Sequence, residues 1–183
     1  MVRRMVVAAA ALGVLAGCSE DPAADARGDA GANAVLPAGP AARIDKIAAA
    51  DLPDAVRAAV LTRIPDMTIV EAERKERDGM VFYDVEGTRA DGSEIELDIL
   101  EEGGQYRVVE VQRDIEWTAA PAEVIAAAGA APDSFTPERV IESTQNDGTV
   151  VFELFAPGKP DEPAAEVNWK DGRAELRRER NVY

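Results

Sequence analysis

The sequence predicts an α+β domain of two tandem repeats, each a helix followed by antiparallel strands, with the helices packed on one face of the sheet. Two observations predict this fold class. The segment DGMVFYDV at residues 78–85 aligns without a gap to DGTVVFEL at 147–154, and PDAV at 53–56 aligns to PAEV at 121–124. In each repeat the apolar residues also change from helical spacing to alternation with polar residues.

The first repeat begins with a predicted helix. Asp51 is suited to the N-cap, and Pro65 ends the helix. The apolar face of the helix is formed by residues at i+4 spacing, namely Leu52, Val56, Val60 and Ile64. Ile44 and Ile47 predict a short helical turn before this helix.

From Met67 onward, apolar residues recur at every second position, which predicts strands. Asp78-Gly79 lies between two such runs and predicts a tight hairpin. Later turns are predicted at the pairs Asp91-Gly92 and Gly103-Gly104, the second leading into a strand over residues 105–115. The side chains predicted to face the helices are Val81, Tyr83, Val85, Ile95, Leu97 and Ile99.

The second repeat has a shorter predicted helix, residues 121–128, which ends at Gly129. The strands that follow are predicted at about 138–146, 149–156, 164–169 and 173–181, with a proline-rich loop at 157–163. The repeats therefore span about 44–117 and 118–183.

The N-terminus has the pattern of a bacterial lipoprotein signal peptide, residues 1–17. Arg3 and Arg4 precede an apolar run over residues 5–16, which is too short to span a membrane. Leu15-Ala16-Gly17-Cys18 resembles the lipobox, which implies lipid on Cys18, the one cysteine of the chain. Residues 18–43 are then the lipidated N-terminus and a flexible tether. We expect a periplasmic, lipid-anchored protein of the cell envelope, at the outer rather than the inner membrane because Ser19 follows the cysteine.

The domain at 44–183 resembles the PepSY-like group, which is compared with the beta-lactamase inhibitory protein. The resemblance rests on Asp51-Leu52-Pro53-x-x-Val56, Pro65, Asp78-Gly79, Tyr83-x-Val85 and Asp91-Gly92. It implies a tandem helix-on-sheet fold whose open sheet face is available to a protein partner. The second repeat departs from the pattern, with Phe152 where the first has Tyr83. No residue matches a partner-contacting motif, so inhibition of a beta-lactamase is not implied.

Composition excludes several classes of function. The chain has 35 acidic and 20 basic side chains, so it repels nucleic acid and is suited to basic proteins, cationic peptides or cations. It contains no histidine, and it lacks a GxSxG motif, a P-loop and a dinucleotide-binding glycine pattern. We therefore predict a protein that is not an enzyme, with no catalytic residues, no metal ligands and no cofactor.

Two charged runs have alternative interpretations. The acidic row is either a site for Ca²⁺ or a basic partner, or a solvated strand face, and the second interpretation is favoured; its residues are Glu94, Glu96, Asp98, Glu101 and Glu102. Alternate residues of one strand lie about 6–7 Å apart, too far to share one cation without another strand. The basic run of Arg173, Arg177, Arg178 and Arg180 either contacts phosphate headgroups or an acidic partner, or pairs across the sheet with acids, and cross-strand pairing is favoured.

Four aromatic residues are candidate partner-binding positions. Phe82 and Phe155 have the opposite parity to the helix-facing side chains, which places them on the exposed sheet face. Trp117 and Trp169 are either interface anchors or core residues. The leading hypothesis is a non-enzymatic lipoprotein that binds a protein or peptide, with an inhibitory or assembly-accessory role. The alternatives are a lipoprotein that binds or senses cations or cationic peptides, and a carboxylate-based cell-wall hydrolase.

Overall fold

The computed structural model of the protein describes residues 42–177. The nine strands are β1 (Arg43–Ala48), β2 (Thr68–Arg77), β3 (Met80–Thr88), β4 (Glu94–Glu102), β5 (Gln105–Ile115), β6 (Arg139–Gln145), β7 (Val150–Phe155), β8 (Ala165–Lys170) and β9 (Arg173–Arg177). The two α-helices are α1 (Asp54–Arg63) and α2 (Ala122–Gly129), each preceded by a short 3₁₀ turn, Ala49–Asp51 or Trp117–Ala119. The predicted signal peptide and Cys18 lie outside the described residues.

All nine strands form one antiparallel sheet in which each strand pairs with the next one in the sequence. Strands make up 51% and helices 18% of the described chain. The predicted α+β arrangement of two helix-plus-strand repeats is therefore wrong. β5 pairs directly with β6, from Glu110 opposite Gln145 to Ile115 opposite Val140, so the sheet continues where a repeat boundary was predicted. Pairing there satisfies two strand edges that separate repeats would leave open.

The segment before α1 is also corrected by the structure. Ile44 and Ile47 lie in β1, not in a helical turn. β1 pairs with β2 along its whole length, from Arg43 opposite Glu76 to Ala48 opposite Glu71. A strand is favoured because the edge of β2 supplies partners for every backbone donor and acceptor that faces it, which an isolated helical turn lacks.

The turn after β2 is the tight hairpin that the sequence predicts. Asp78 and Gly79 have φ angles of 53° and 77°, the left-handed pair of a type I′ turn. Asp171 and Gly172 repeat this conformation between β8 and β9, with φ angles of 50° and 75°. These turns match the twist of the sheet and fix the register, and with it the face on which each side chain lies.

Both helices pack on the same face of the sheet. α1 contacts β4 and β5, and α2 contacts β8 and β9. The core around α1 contains Val56, Val60, Tyr83, Val85, Ile95, Leu97 and Ile99, and the core around α2 contains Val124, Val140, Phe152, Leu154 and Val167. The predicted inward parity of the first strands is thus confirmed. The side chains of opposite parity form the face turned away from the helices, which we call the open face.

Candidate functional site

The open face brings acidic side chains of three neighbouring strands into register. Asp84 of β3 lies opposite Asp98 of β4, and Asp98 lies opposite Glu110 of β5. Glu86 and Glu96 form a further pair of acids across β3 and β4. Like charges directly opposite each other destabilise a sheet, so this arrangement needs compensation from another group.

Four of these acids are buried. Asp84, Glu96, Asp98 and Glu110 have exposed fractions of 5%, 2%, 6% and 5%, and we call them the carboxylate cluster. Acidic side chains are almost never buried to this extent unless they are paired. The interpretation of the acidic row as a solvated strand face is therefore wrong for Glu96 and Asp98. The second strand that a cation would need is β3, which contributes Asp84.

The cluster lies on a stretch of the open face that is itself buried. The side chains of Phe82, Ser143, Val151, Phe155 and Glu166 lie on the same face, and each of these residues is at most 4% exposed. The negative charge of Glu153 on β7 contributes to the raised pKa of both Glu96 and Asp98 on β4. The acids are therefore shielded from solvent on the face that is turned away from α1 and α2.

Three carboxylates of the cluster converge on one point. One oxygen from each of Asp84, Glu96 and Asp98 lies within 4.8 Å of the other two. Lys75 of β2 forms an ion pair with Asp84 Oδ2, and the Lys75 side chain is 19% exposed. Among the residues that the structure describes, Glu96 Oε2 and Asp98 Oδ1 are buried without a hydrogen-bond partner. A buried oxygen without a partner loses its hydration and gains nothing in return, so these two atoms need a ligand or a proton.

Glu110 marks the other end of the cluster. Ser143 Oγ of β6 donates a short hydrogen bond to Glu110 Oε1, and Gln145 Nε2 donates to Ser143 Oγ at 2.8 Å. Glu110 also forms a hydrogen bond with Asp98. These polar contacts hold Glu110 in place on β5, while Asp98 Oδ1 has no hydrogen-bond partner among the described residues.

Burial changes the protonation of the cluster. It raises the pKa of Glu96 to about 7, an effect that the charge of Lys75 opposes. Burial and the charge of Glu96 raise the pKa of Asp98 to about 7. Burial and the charge of Asp98 raise the pKa of Glu110 to about 8. At neutral pH the cluster therefore holds protons that exposed carboxylates would have released.

Phe82 and Phe155 lie on the open face, but the prediction that they are exposed is wrong. Their exposed fractions are 4% and 3%. The guanidinium group of Arg77 lies 5.5 Å from the ring centre of Phe82, and that of Arg139 lies 5.1 Å from the ring centre of Phe155. Stacked guanidinium groups cover the rings and keep their own charge near water.

The structure brings together only two of the four aromatic residues predicted to bind a partner. Trp117 and Phe155 line one groove of about 660 Å³ at the end of β5 and the start of β6. Trp117 and Trp169 are half-buried, and both pack against the core around α2. Phe82 and Trp169 are not among the groove residues.

The sequence identified Glu96 and Asp98 as chemically distinctive but missed the rest of the cluster. Asp84 and Glu110 lie on strands with many apolar residues, and the spacing of apolar residues gives no sign that these two acids are buried. Lys75 is one of several charged residues of β2. The successive pairing of β2, β3, β4 and β5 brings these side chains together on the open face.

Comparison with known proteins gives no relative, since no family model matches the sequence and no curated protein matches it. The resemblance to the PepSY-like group therefore stays an expectation. Within residues 42–177, no helix is both long enough and apolar enough to cross a membrane.

Proposed function

We propose that this chain is a lipid-anchored envelope protein whose carboxylate cluster binds a divalent cation. The observation that carries the proposal is the convergence of Asp84, Glu96 and Asp98, whose ligand oxygens lie within 4.8 Å of one another. Two of these residues also contribute a buried oxygen without a hydrogen-bond partner in the described part of the chain, Glu96 Oε2 and Asp98 Oδ1. A cation between them would supply the missing partner for both atoms.

The donor set indicates which cation. Three carboxylates offer hard oxygen ligands, which suit Ca²⁺, Mg²⁺ or Mn²⁺ rather than metals that prefer sulfur or imidazole. Calcium–oxygen distances of about 2.3–2.6 Å give a coordination shell about 4.6–5.2 Å across. That diameter accommodates oxygens up to 4.8 Å apart. Mg²⁺, with a shell of about 4.0–4.2 Å, requires a tighter group, so we favour Ca²⁺.

Burial favours a small ion over the polymeric ligands that the sequence also allowed. Glu96 and Asp98 are exposed by only 2% and 6%, which leaves no room for a glycan chain to reach them. A desolvated site of this kind strengthens attraction to a cation because little water screens the charges. The same burial that raises the pKa of each carboxyl therefore also increases the stabilisation that a divalent cation provides.

Isothermal titration calorimetry of the full chain with CaCl₂ at pH 7.5, with MgCl₂ and MnCl₂ in parallel, tests the proposal. Wild type is expected to bind one Ca²⁺ saturably, and Glu96→Gln and Asp98→Asn are each expected to weaken binding at least about tenfold. Glu175→Gln is the matched control, since it removes one acid from an exposed position of the open face on β9. It is expected to leave the affinity unchanged.

Two outcomes would contradict the proposal. The first is the absence of binding heat with all three cations in a protein that remains folded. The second is an equal loss of affinity in Glu175→Gln and Glu96→Gln, because that result would indicate diffuse attraction to an acidic surface.

A further inference from the structure

A second feature of the structure lies apart from the carboxylate cluster. It is the groove of about 660 Å³ between the end of β5, the start of β6 and the loop after β7, a volume typical of ligand-binding clefts. The residues that matter for recognition are Asp114, Glu116, Trp117, Arg139, Phe155 and Asp161.

The groove already holds one guanidinium group, that of Arg139. Arg139 Nε donates a hydrogen bond to Asp114 Oδ1 at 2.9 Å. The same guanidinium lies over the ring of Phe155, 5.1 Å from its centre. A carboxylate beside an aromatic ring favours a planar cation. A guanidinium can stack its face on the ring while its N–H groups, which lie in its plane, donate to the carboxylate.

The groove lining contains a second aromatic ring with an acid next to it in the chain. Trp117 packs against the core around α2, which holds its indole ring in position, while Glu116 beside it is exposed. Asp161, on the loop after β7, adds a second exposed carboxylate. Arg139 is the one basic side chain among the groove residues, and it pairs with Asp114. The groove therefore keeps a negative charge that can attract a further cation.

We propose that this groove docks an arginine-bearing segment of a partner protein, with the arginine against Trp117 and paired to Glu116 and Asp161. The negative rim repels phosphate and carboxylate ligands, and its indole wall favours a planar guanidinium over a lysine ammonium. Tryptophan and arginine are among the residues that contribute most to binding at protein interfaces. The site differs from the carboxylate cluster in all its residues, so either site can exist without the other.

Fluorescence of Trp117 provides a direct measurement. The chain has two tryptophans, so Trp169→Phe in the full chain leaves Trp117 as the single tryptophan, which is excited selectively at a wavelength that tyrosine does not absorb. This variant is titrated with tetra-arginine, tetra-lysine and tetra-glutamate peptides in the presence of EDTA. We expect a saturable change with tetra-arginine, binding at least about threefold weaker with tetra-lysine, and no change with tetra-glutamate. Calorimetry of the wild-type chain with tetra-arginine repeats the test without the tryptophan substitution.

The matched variants are the double change Glu116→Gln/Asp161→Asn, at exposed positions of the groove, and Glu175→Gln, at an exposed position on β9. The first is expected to weaken tetra-arginine binding about tenfold, and the second to leave it unchanged. The proposal is overturned if tetra-arginine gives no saturable signal by either method, or if the two variants bind it equally. Equal affinity for tetra-lysine would also overturn it, because charge alone would then explain the binding.

Discussion

Raising the pH from 5 to 8 in the absence of divalent cations is expected to lower the free energy of unfolding by about 2–3 kcal/mol. The reason is that burial raises the pKa of Glu96 from 4.5 to about 7 in the folded protein. Between these two values the folded chain holds a proton that the unfolded chain has released, so stability falls as the pH rises. This contribution to stability is fully present below the pKa of Glu96 in the unfolded chain, and it is lost as the pH rises through the pKa of Glu96 in the folded protein.

The magnitude follows from the shift. Each pKa unit corresponds to about 1.4 kcal/mol, so the rise at Glu96 gives about 3 kcal/mol in all, of which about 2–3 kcal/mol is lost between pH 5 and 8. Little of this is lost to solvent screening, since Glu96 is 2% exposed. Asp98 and Glu110 shift in the same direction, but neighbouring acids share their protons, so their separate contributions do not add. A decrease of this size is a large part of the free energy of unfolding of an ordinary domain.

Urea denaturation followed by circular dichroism, from pH 5 to 8 in EDTA, measures this dependence. Glu96→Gln keeps the shape of the side chain and removes its titration, so it is expected to flatten the profile by about 2–3 kcal/mol. Glu175→Gln, which changes an exposed acid on the same face, is expected to keep the wild-type slope. The reasoning is refuted if wild-type stability is constant or rises over this range, or if Glu96→Gln keeps the full slope.

Three further changes test other parts of the structure. Lys75→Met removes the ammonium that pairs with Asp84, so calorimetry should show tighter Ca²⁺ binding, by about tenfold; weaker binding would mean that Lys75 helps to form the site. Phe82→Ala removes a ring that is 4% exposed and should lower the free energy of unfolding by about 3 kcal/mol in urea, whereas Val70→Ala, at a position 62% exposed, should change it by less than about 0.5 kcal/mol. Equal effects would show that Phe82 is not buried. Cys18→Ser should move the protein from the membrane fraction to the soluble fraction on immunoblots, and retention at the membrane would exclude the lipid anchor.

The elements that the sequence predicted well are those specified by neighbouring residues. Asp78-Gly79 carries its own backbone preference, so the hairpin between β2 and β3 is visible without tertiary information. The alternation of Val81, Tyr83 and Val85 is also a local pattern, so it identified the side of β3 that faces the helices. The join between β5 and β6 is different, because Glu110 pairs with Gln145 across a long stretch of chain that includes α2. No local sequence pattern indicates this pairing, so the single nine-stranded sheet was predicted as two tandem helix-plus-strand repeats.

The candidate site was recognised only in part for a related reason. Parity placed Glu96 and Asp98 together on one face, but their burial depends on residues of other strands, which residue spacing along β4 does not show. Glu153 of β7, three strands away in the sheet, contributes to the raised pKa of both acids. Phe82 was misjudged in the same way, since the guanidinium that covers it belongs to Arg77, across the hairpin on β2.

The most direct test of the proposed cation site is a crystal structure of the protein grown with MnCl₂ near pH 8, with anomalous scattering used to locate the metal. We expect a peak bound by oxygens of Asp84, Glu96 and Asp98 at about 2.1–2.3 Å, between the distances for Mg²⁺ and Ca²⁺. We also expect Lys75 to move away from Asp84. A well-resolved structure with no peak between these carboxylates, and with Lys75 still paired to Asp84, would contradict the proposed cation site.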